Sequence, residues 1–406
     1  MFSRHAKVRL LDSLSDTPVT LIHGARQTGK STLADLVADE QGRTRVTLDD
    51  PIALSLAKRD PKAFLNTYKP PVTIDEIQRA PELFLAIKLA VDKDRKPGAF
   101  MLTGSSNVLA MPRLADSLAG RMAVIDLMPL TQGEIDGTPD GFVDAVFSCH
   151  VFPRVVEDDD IFSRIARGGF PEPVQRSPRR RSEWFDSYIR TILERDVKDF
   201  ANIEALSQMP YLLSLLASRA GSTLNISSLA AETGIAYTSL RRYLSLLENL
   251  FLVKLVPAWS VEGGKNLAKT PKAYLVDTGL LCFLTQSSPD SLRSDPLRLR
   301  PALENFVAME LAKQCSLGEQ RPWLMHLRTV RHLQVDFVLE NRAKEIVGVQ
   351  VKASETLHDG DAEGLRFLRE LAGPRFKRGV VLHLGIDRVA LDENIEGLPV
   401  SALWTT

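Results

Sequence analysis

Gly24 through Ser31 read GARQTGKS, the pattern G-x-x-x-x-G-K-[ST], and each fixed position answers a need of a bound phosphate chain. Gly24 and Gly29 let the backbone turn until its N–H groups face the phosphates, and a helix beginning near Lys30 adds the positive end of its dipole. Lys30 is placed to reach the β- and γ-phosphates, and the Ser31 hydroxyl to ligate Mg2+. Ala25, Arg26, Gln27 and Thr28 inside the loop, with Thr32 behind Ser31, complete the candidate nucleotide-binding set.

Such a site needs a carboxylate for the metal at the end of a neighbouring buried strand, and PVTIDE from Pro71 to Glu76 supplies one. Asp75 would hold Mg2+, directly or through water, and Glu76 would polarise a water for attack on the γ-phosphate. Lys30, Asp75 and Glu76 are therefore the candidate catalytic residues, with Ser31 and Asp75 as metal ligands. A glutamate directly after the metal aspartate favours hydrolysis of ATP over phosphoryl transfer to a small molecule. A further strand, Ala99 to Leu102, runs into TGSSN, where Ser105 or Asn107 would sense the γ-phosphate; a plain Gly-Ser-Ser turn is the other reading. Arg121 precedes a strand at Ala123 to Leu127 and is either a γ-phosphate contact, in its own chain or a neighbour's, or an ordinary surface arginine.

The elements that must hold these groups can be read around them. Pro18 to Ile22 is a short β-branched run, and the residues after Lys30 have the apolar spacing of an amphipathic helix, which gives strand, loop, helix in an α/β unit. The chain has 406 residues, 44% of them hydrophobic, enough for two to four cored domains at roughly 100 to 200 residues each. Lys+Arg and Asp+Glu are both 51, so no global field holds nucleic acid and any DNA contact must be local. Cys149, Cys282 and Cys315 are far apart, with no CxxC pair, which fits a reducing cytoplasm. The N-terminal residues have no signal-peptide core, and no run approaches the roughly 20 apolar residues of a membrane span, so a cytoplasmic protein with no membrane partner is expected.

At this point the sequence resembles a family. LIHGARQTGKSTL, LDDPIALSLAKRDPKAFL and the long run from VTIDEIQRAPELF to LTGSSNVL resemble the prokaryotic AAA-like ATPases that carry a C-terminal domain of unknown function. In that family the loop reads G-x-R-Q-x-G-K-[ST], the acidic strand continues DEIQ, and LTGSS precedes SLAGR. Arg26, Gln27, Gln78 and Arg79 all match. The likeness continues through GGFPEP at Gly168 to Pro173 and YIRTILERDV at Tyr188 to Val197. It implies ATP and Mg2+ as cofactors.

Between Ser207 and Ala258 the pattern is helix, short helix, turn, helix, strand. Asn225 offers an N-cap, Gly234 a break, and Leu240, Tyr243, Leu244 and Leu247 fall at helical spacing. This is the spacing of a winged helix-turn-helix. Its second helix would present Tyr237, Thr238, Ser239, Arg241 and Arg242 to a DNA groove, with Arg241 and Arg242 as the candidate phosphate contacts. A packing module that moves with nucleotide state is the alternative. The Arg176, Arg179, Arg180, Arg181 cluster, set among proline and serine, reads as a flexible basic loop.

In the C-terminal third, QVDFVL from Gln334 and EIVGVQVK from Glu345 read as a hairpin with Asp336, Gln350 and Lys352 at one end of a sheet. That is the geometry of a PD-(D/E)xK nuclease core, in which two acids bind Mg2+ and a lysine stabilises the attacking water or the phosphate. A helix before it carries Glu304 and Glu310, and Glu310 is taken as the further carboxylate of the candidate site. The family's C-terminal domain is thought to have this restriction-endonuclease-like shape. Gln350 departs from the acidic pattern and removes one anionic ligand. Mrr-like branches also carry Gln there, which leaves cleavage open.

The expected fold is thus α/β throughout: an AAA-like P-loop ATPase core over 1–135, a helical lid or linker over 136–204, a winged helix-turn-helix over 205–275 and a restriction-endonuclease-like domain over 276–406. The expected function is an ATP-hydrolysing switch or motor acting on DNA. An ATP-gated nuclease and a signalling ATPase that binds a protein partner are the alternatives. A homo-oligomer fits any of the three.

Overall fold

The computed structural model describes residues 2–105, 118–148, 152, 160–196, 208–260, 269–329 and 333–406. They form two compact units: 1–129 with 249–251, and 130–248 with 252–406.

The first unit is built on a parallel five-stranded sheet. Its strands are β1 (Val19–His23), β2 (Thr44–Thr47), β3 (Val72–Asp75), β4 (Phe100–Gly104) and β5 (Met122–Asp126), in the order β2-β3-β4-β1-β5. Buried on both faces, β1 and β4 are apolar runs rather than alternating ones, as expected of central parallel strands. The helices Pro51–Arg59, Pro61–Thr67 and Leu83–Lys93 cover one side and share a core of Leu21, Phe64, Ile74, Phe84, Ile87 and Leu102. Each of the first two starts on an aspartate cap followed by proline, Asp50-Pro51 and Asp60-Pro61, which fixes their entry. Because all five strands run the same way, the turns that follow β1, β3 and β4 gather at one edge of the sheet.

The second unit contains three helices, Met209–Ser218, Ile226–Thr233 and Tyr237–Asn249, then a hairpin of β6 (Val253–Val256) and β7 (Lys272–Leu275). Asn225 caps the second helix by accepting from the Ser228 N–H at 2.9 Å, and Gly234 ends it in the left-handed conformation, both at the expected positions. A six-stranded sheet follows: β8 (Trp323–Arg328), β9 (Gln334–Glu340), β10 (Ile346–Val351), β11 (Phe376–His383), β12 (Val389–Asp392) and β13 (Ile395–Pro399). Its order is β12-β13-β11-β10-β9-β8. β9 and β10 are antiparallel, while β10 pairs with β11, and β11 with β13, in parallel. The amphipathic helix Glu363–Ala372 packs Leu365 and Leu368 on that sheet, and Gly348 of β10 leaves room for both leucines.

The arginine cluster is not a loop. Pro178 opens a helix that runs to Thr191, so Arg179, Arg180 and Arg181 lie on its first turns. Proline at the first helical position pre-sets the backbone angle and gives up an N–H that would have had no partner. Arg176 pairs with Glu172, Arg179 and Arg180 with Glu183, and Arg181 donates to the carbonyls of Pro173 and Arg176. Arg179 and Arg180 share the one Glu183 and stay exposed, while Arg181 is half-buried against the backbone.

Among the described residues no helix is long and apolar enough to cross a membrane. Cys282 and Cys315 are buried free thiols, pushed up to about 12 by burial, and Cys149 lies outside the described residues.

Candidate nucleotide site and C-terminal pocket

The GARQTGKS loop leaves the end of β1 and turns into the helix Lys30–Gln41. A Cβ on Gly24 would stand 2.2 Å from the Leu127 carbonyl oxygen, so only glycine lets the loop pass this close to the chain leaving β5. Gln27 (φ 64°) and Gly29 (φ 88°) are both left-handed, the backbone condition for nests that gather N–H groups toward an anion. The Ala25 carbonyl accepts from Thr28 Oγ1 at 2.9 Å and from Lys30 Nζ at 2.7 Å. Arg4, ahead of the helix Ala6–Asp16, donates to the Thr28 carbonyl at 2.6 Å and the Met128 carbonyl at 2.7 Å, bracing the loop from behind.

Lys30 is 6% exposed and makes no ion pair among the described residues. Burial lowers its pKa to about 8, a shift to which Arg26 adds and which Glu76 and Asp75 oppose. A buried ammonium held only by a carbonyl is costly unless an anion joins it, so the site fits the phosphates of a nucleotide.

Asp75 ends β3 beside the loop. Its Oδ1 accepts from Ser31 Oγ at 2.8 Å and from Thr103 Oγ1 at 2.5 Å, and its Oδ2 from Thr47 Oγ1 at 3.4 Å. Glu76 follows in the left-handed region (φ 58°, ψ 45°), unusual for a side chain with a Cβ, and its N–H donates to Thr103 Oγ1 at 3.1 Å. The Gln78 amide nitrogen reaches Glu76 Oε2 and, at 2.9 Å, Ser105 Oγ. The Gln78 Oε1 is buried without a hydrogen-bond partner among the described residues. Lys30, Ser31, Asp75, Glu76 and Ser105 are thus brought together. Thr103, the threonine of the LTGSS run, belongs to the set as well, in a role that depends on β4 lying against β3.

Arg121 does not join this site in its own chain. It immediately precedes β5, and its carbonyl accepts from the Val19 N–H at the start of β1, so it sits at the sheet edge opposite the loop. There it pairs with Asp92 at 2.6 Å. Asn107 lies outside the described residues.

In the second unit, Asp336 of β9 and Gln350 of β10 line a pocket of about 370 Å3 with Glu304, Lys352, Arg300 and Asp361. Asp336 Oδ2 accepts from Gln350 Nε2 at 2.6 Å and the Val351 N–H at 2.9 Å. Lys272 of β7 enters from behind, 3.3 Å from Asp336 Oδ1 and 2.8 Å from Glu304 Oε1. Lys352 turns to Asp361 at 2.9 Å. Glu310 is not part of this pocket. It accepts from the Gln132 N–H at 2.9 Å and from Lys313 at 2.7 Å, and burial raises its pKa. Six residues advance a helix by about 240° at 3.6 residues per turn, so Glu304 and Glu310 face different sides of the helix Pro296–Leu317, and Glu304 supplies the carboxylate.

Arg241 and Arg242 are exposed on the helix Tyr237–Asn249 and have no ion-pair partner among the described residues. Tyr237, Arg241, Asn225, Ser227 and Thr270 line an open groove of about 660 Å3.

The parallel sheet, the glycine-rich loop feeding a helix, and Lys30, Ser31 and Asp75 at one edge define a P-loop protein of the nucleotide-binding class. Residues 16–136 match the family described as AAA domain, and residues 158–291 and 301–403 match two domains of unknown function, DUF8612 and DUF4143. The chain belongs to the AAA-like P-loop ATPases that carry a C-terminal domain of unknown function. It is 29% identical over 406 residues to the uncharacterized protein Rv2008c of Mycobacterium tuberculosis, covering 99% of this chain and 85% of that one. It is 23% identical to an uncharacterized protein of Haemophilus influenzae, covering 89% and 90%. Among solved structures it is similar to the Walker-type ATPase PABY2304 of Pyrococcus abyssi, at 16% identity and TM-score 0.44, with 70% of this chain and 96% of that one covered. It is also similar to the RuvB Holliday junction branch migration motor of Thermotoga maritima, at 20% identity and TM-score 0.32, with 63% and 90% covered.

Proposed function

We propose that this protein binds and hydrolyses ATP with Mg2+, and uses the cycle as a switch or motor acting on DNA. The observation that carries the reading is the buried Lys30 ammonium, which has no anion of its own and stands in a glycine-rich loop beside the Ser31–Asp75 pair. Ser31 and Asp75 would hold the metal, which when bound offsets charge on the phosphates. Lys30 binds the phosphate chain and keeps its proton there. Glu76, its carboxylate held by Gln78, orients a water and takes its proton as the water oxygen bonds to the γ-phosphorus and the bond from that phosphorus to the β–γ bridging oxygen breaks, releasing ADP and phosphate. Ser105, tied to the same Gln78 amide, is the candidate sensor of that phosphate.

The DNA part of the reading is supported by the three helices and the β6–β7 hairpin, which we take as a winged helix-turn-helix within 205–275, and by the unpaired Arg241 and Arg242 on its exposed face. Residues 276–406 are taken as the restriction-endonuclease-like domain and 136–204 as the link to the core over 1–135. ATP turnover measured with and without DNA tests the whole. Stimulation by DNA that disappears in Lys30→Ala is the expected result. Turnover that survives Lys30→Ala would remove the ATPase reading, and turnover indifferent to DNA would favour a protein partner.

A further inference from the structure

In a nuclease pocket of the PD-(D/E)xK type the acids exist to hold a divalent cation. Here Asp336, Glu304 and Gln350 line one pocket, and Gln350 Oε1 is buried with no partner among the described residues. A set of oxygens like this suits a hard cation. The place beside Asp336 and Glu304 is filled from within the chain. Lys272 Nζ, 3% exposed, donates to Glu304 Oε1 and Asp336 Oδ1, and Tyr274 two residues on donates to the same Glu304 oxygen at 2.8 Å. An ammonium at this spot offers three donors to these carboxylates and repels a second cation.

Resting on the restriction-endonuclease-like reading of the C-terminal domain, we propose that the Lys272 ammonium takes the place of the divalent cation in the Asp336/Glu304 pocket, so that the domain is metal-free and non-cleaving. Two further features agree. Gln350 lacks the negative charge of an acid, and the Lys352 ammonium, which would serve an attacking water, is paired with Asp361 of the same pocket lining. Lys272 also begins β7, so the ion pair ties the hairpin that follows the helix-turn-helix to the nuclease-like sheet.

Metal binding by the full-length chain without nucleotide decides the matter. Mn2+ titrated against wild type and Asp336→Asn, with free metal read by electron paramagnetic resonance, should give the same number of bound ions, because any weak binding at Ser31 and Asp75 is common to both. Lys272→Met, if folded by circular dichroism, should gain one Mn2+ per chain, and Asp336→Asn added to it should remove that ion. A Mn2+ site in wild type that Asp336→Asn removes overturns the proposal, as does plasmid nicking lost in Asp336→Ala. A folded Lys272→Met that gains no ion overturns it too. If Lys272→Met does not fold, the wild-type comparison alone decides. Since ATP is absent throughout, these outcomes are separate from the ATPase reading.

Discussion

Ser31 and Asp75, 44 positions apart in sequence, are joined by a direct hydrogen bond from Ser31 Oγ to Asp75 Oδ1 at 2.8 Å. The parallel sheet thus sets the two expected metal ligands side by side, one opening the helix after β1 and the other ending β3. Glu76, next to Asp75, faces a different task. Glu76→Gln keeps the shape and removes the base, so it should bind ATP with unchanged affinity while turnover falls by about 10²–10⁴-fold. Asp75→Asn should instead raise the Mg2+ concentration needed for half-maximal rate. Steady-state kinetics with varied Mg2+ separates the two, and a Glu76→Gln enzyme that turns over normally would exclude Glu76 as the base.

Lys30 gives the site a pH dependence. Its pKa in the folded chain is about 8 because it is buried. Phosphates stabilise the ammonium, so nucleotide binds the protonated form and raises the pKa. ATP affinity should therefore be level below about pH 8 and fall above it, by up to about tenfold per pH unit. Titration calorimetry from about pH 7 to 9.5 reads this slope. The depressed pKa also means that the buried charge costs stability at neutral pH, where Lys30 is charged folded or unfolded. Lys30→Met should then lose ATP binding and its pH slope while being at least as stable as wild type.

Thr103 links the strand ends through one hydroxyl, donating to Asp75 Oδ1 and accepting from the Glu76 N–H. Thr103→Val keeps the volume but leaves both partners without it, at a cost of roughly 1–3 kcal/mol. Reduced thermal stability together with a lower kcat is expected, and Thr103→Ser should restore both. A Thr103→Val chain with a normal kcat would reduce the residue to packing.

What could be read from the sequence divides along physical lines. The GARQTGKS loop and the DEIQ strand end were legible because each is a local pattern whose neighbours in space are neighbours in the chain. The role of Thr103 was not, although the residue stands in LTGSS, because that role comes from Ile74 pairing with Leu102 across parallel strands. Lys272 was missed for the same reason: no local signal says that a lysine opening a short strand will meet Asp336, 64 positions on. The Pro178 arginines misled because proline reads as a loop former, yet it is welcome at a first helical turn. GGFPEP was recognisable without being interpretable. Its Gly168 and Gly169 make room for the Asp277 carboxylate and the Leu130 carbonyl, so the motif serves packing within the second unit.

Arg241 and Arg242 bear on the zero net charge. With 51 charges of each sign, DNA binding must come from a local group of cations, and unlike Arg241 and Arg242 the Arg176–Arg181 group is paired with Glu172, Glu183 and backbone carbonyls. Two arginines contacting phosphates would give weak binding with a shallow salt dependence, a slope of log K on log salt of about −0.9 per phosphate on duplex DNA. Replacing Arg241 and Arg242 with alanine should reduce that slope by close to two phosphates' worth and weaken binding alike on unrelated sequences. Fluorescence anisotropy of labelled duplexes over a salt series measures both quantities. A slope unchanged by the double substitution would place any DNA contact elsewhere, and no salt-sensitive binding in wild type would leave the exposed helix Tyr237–Asn249 to a protein partner.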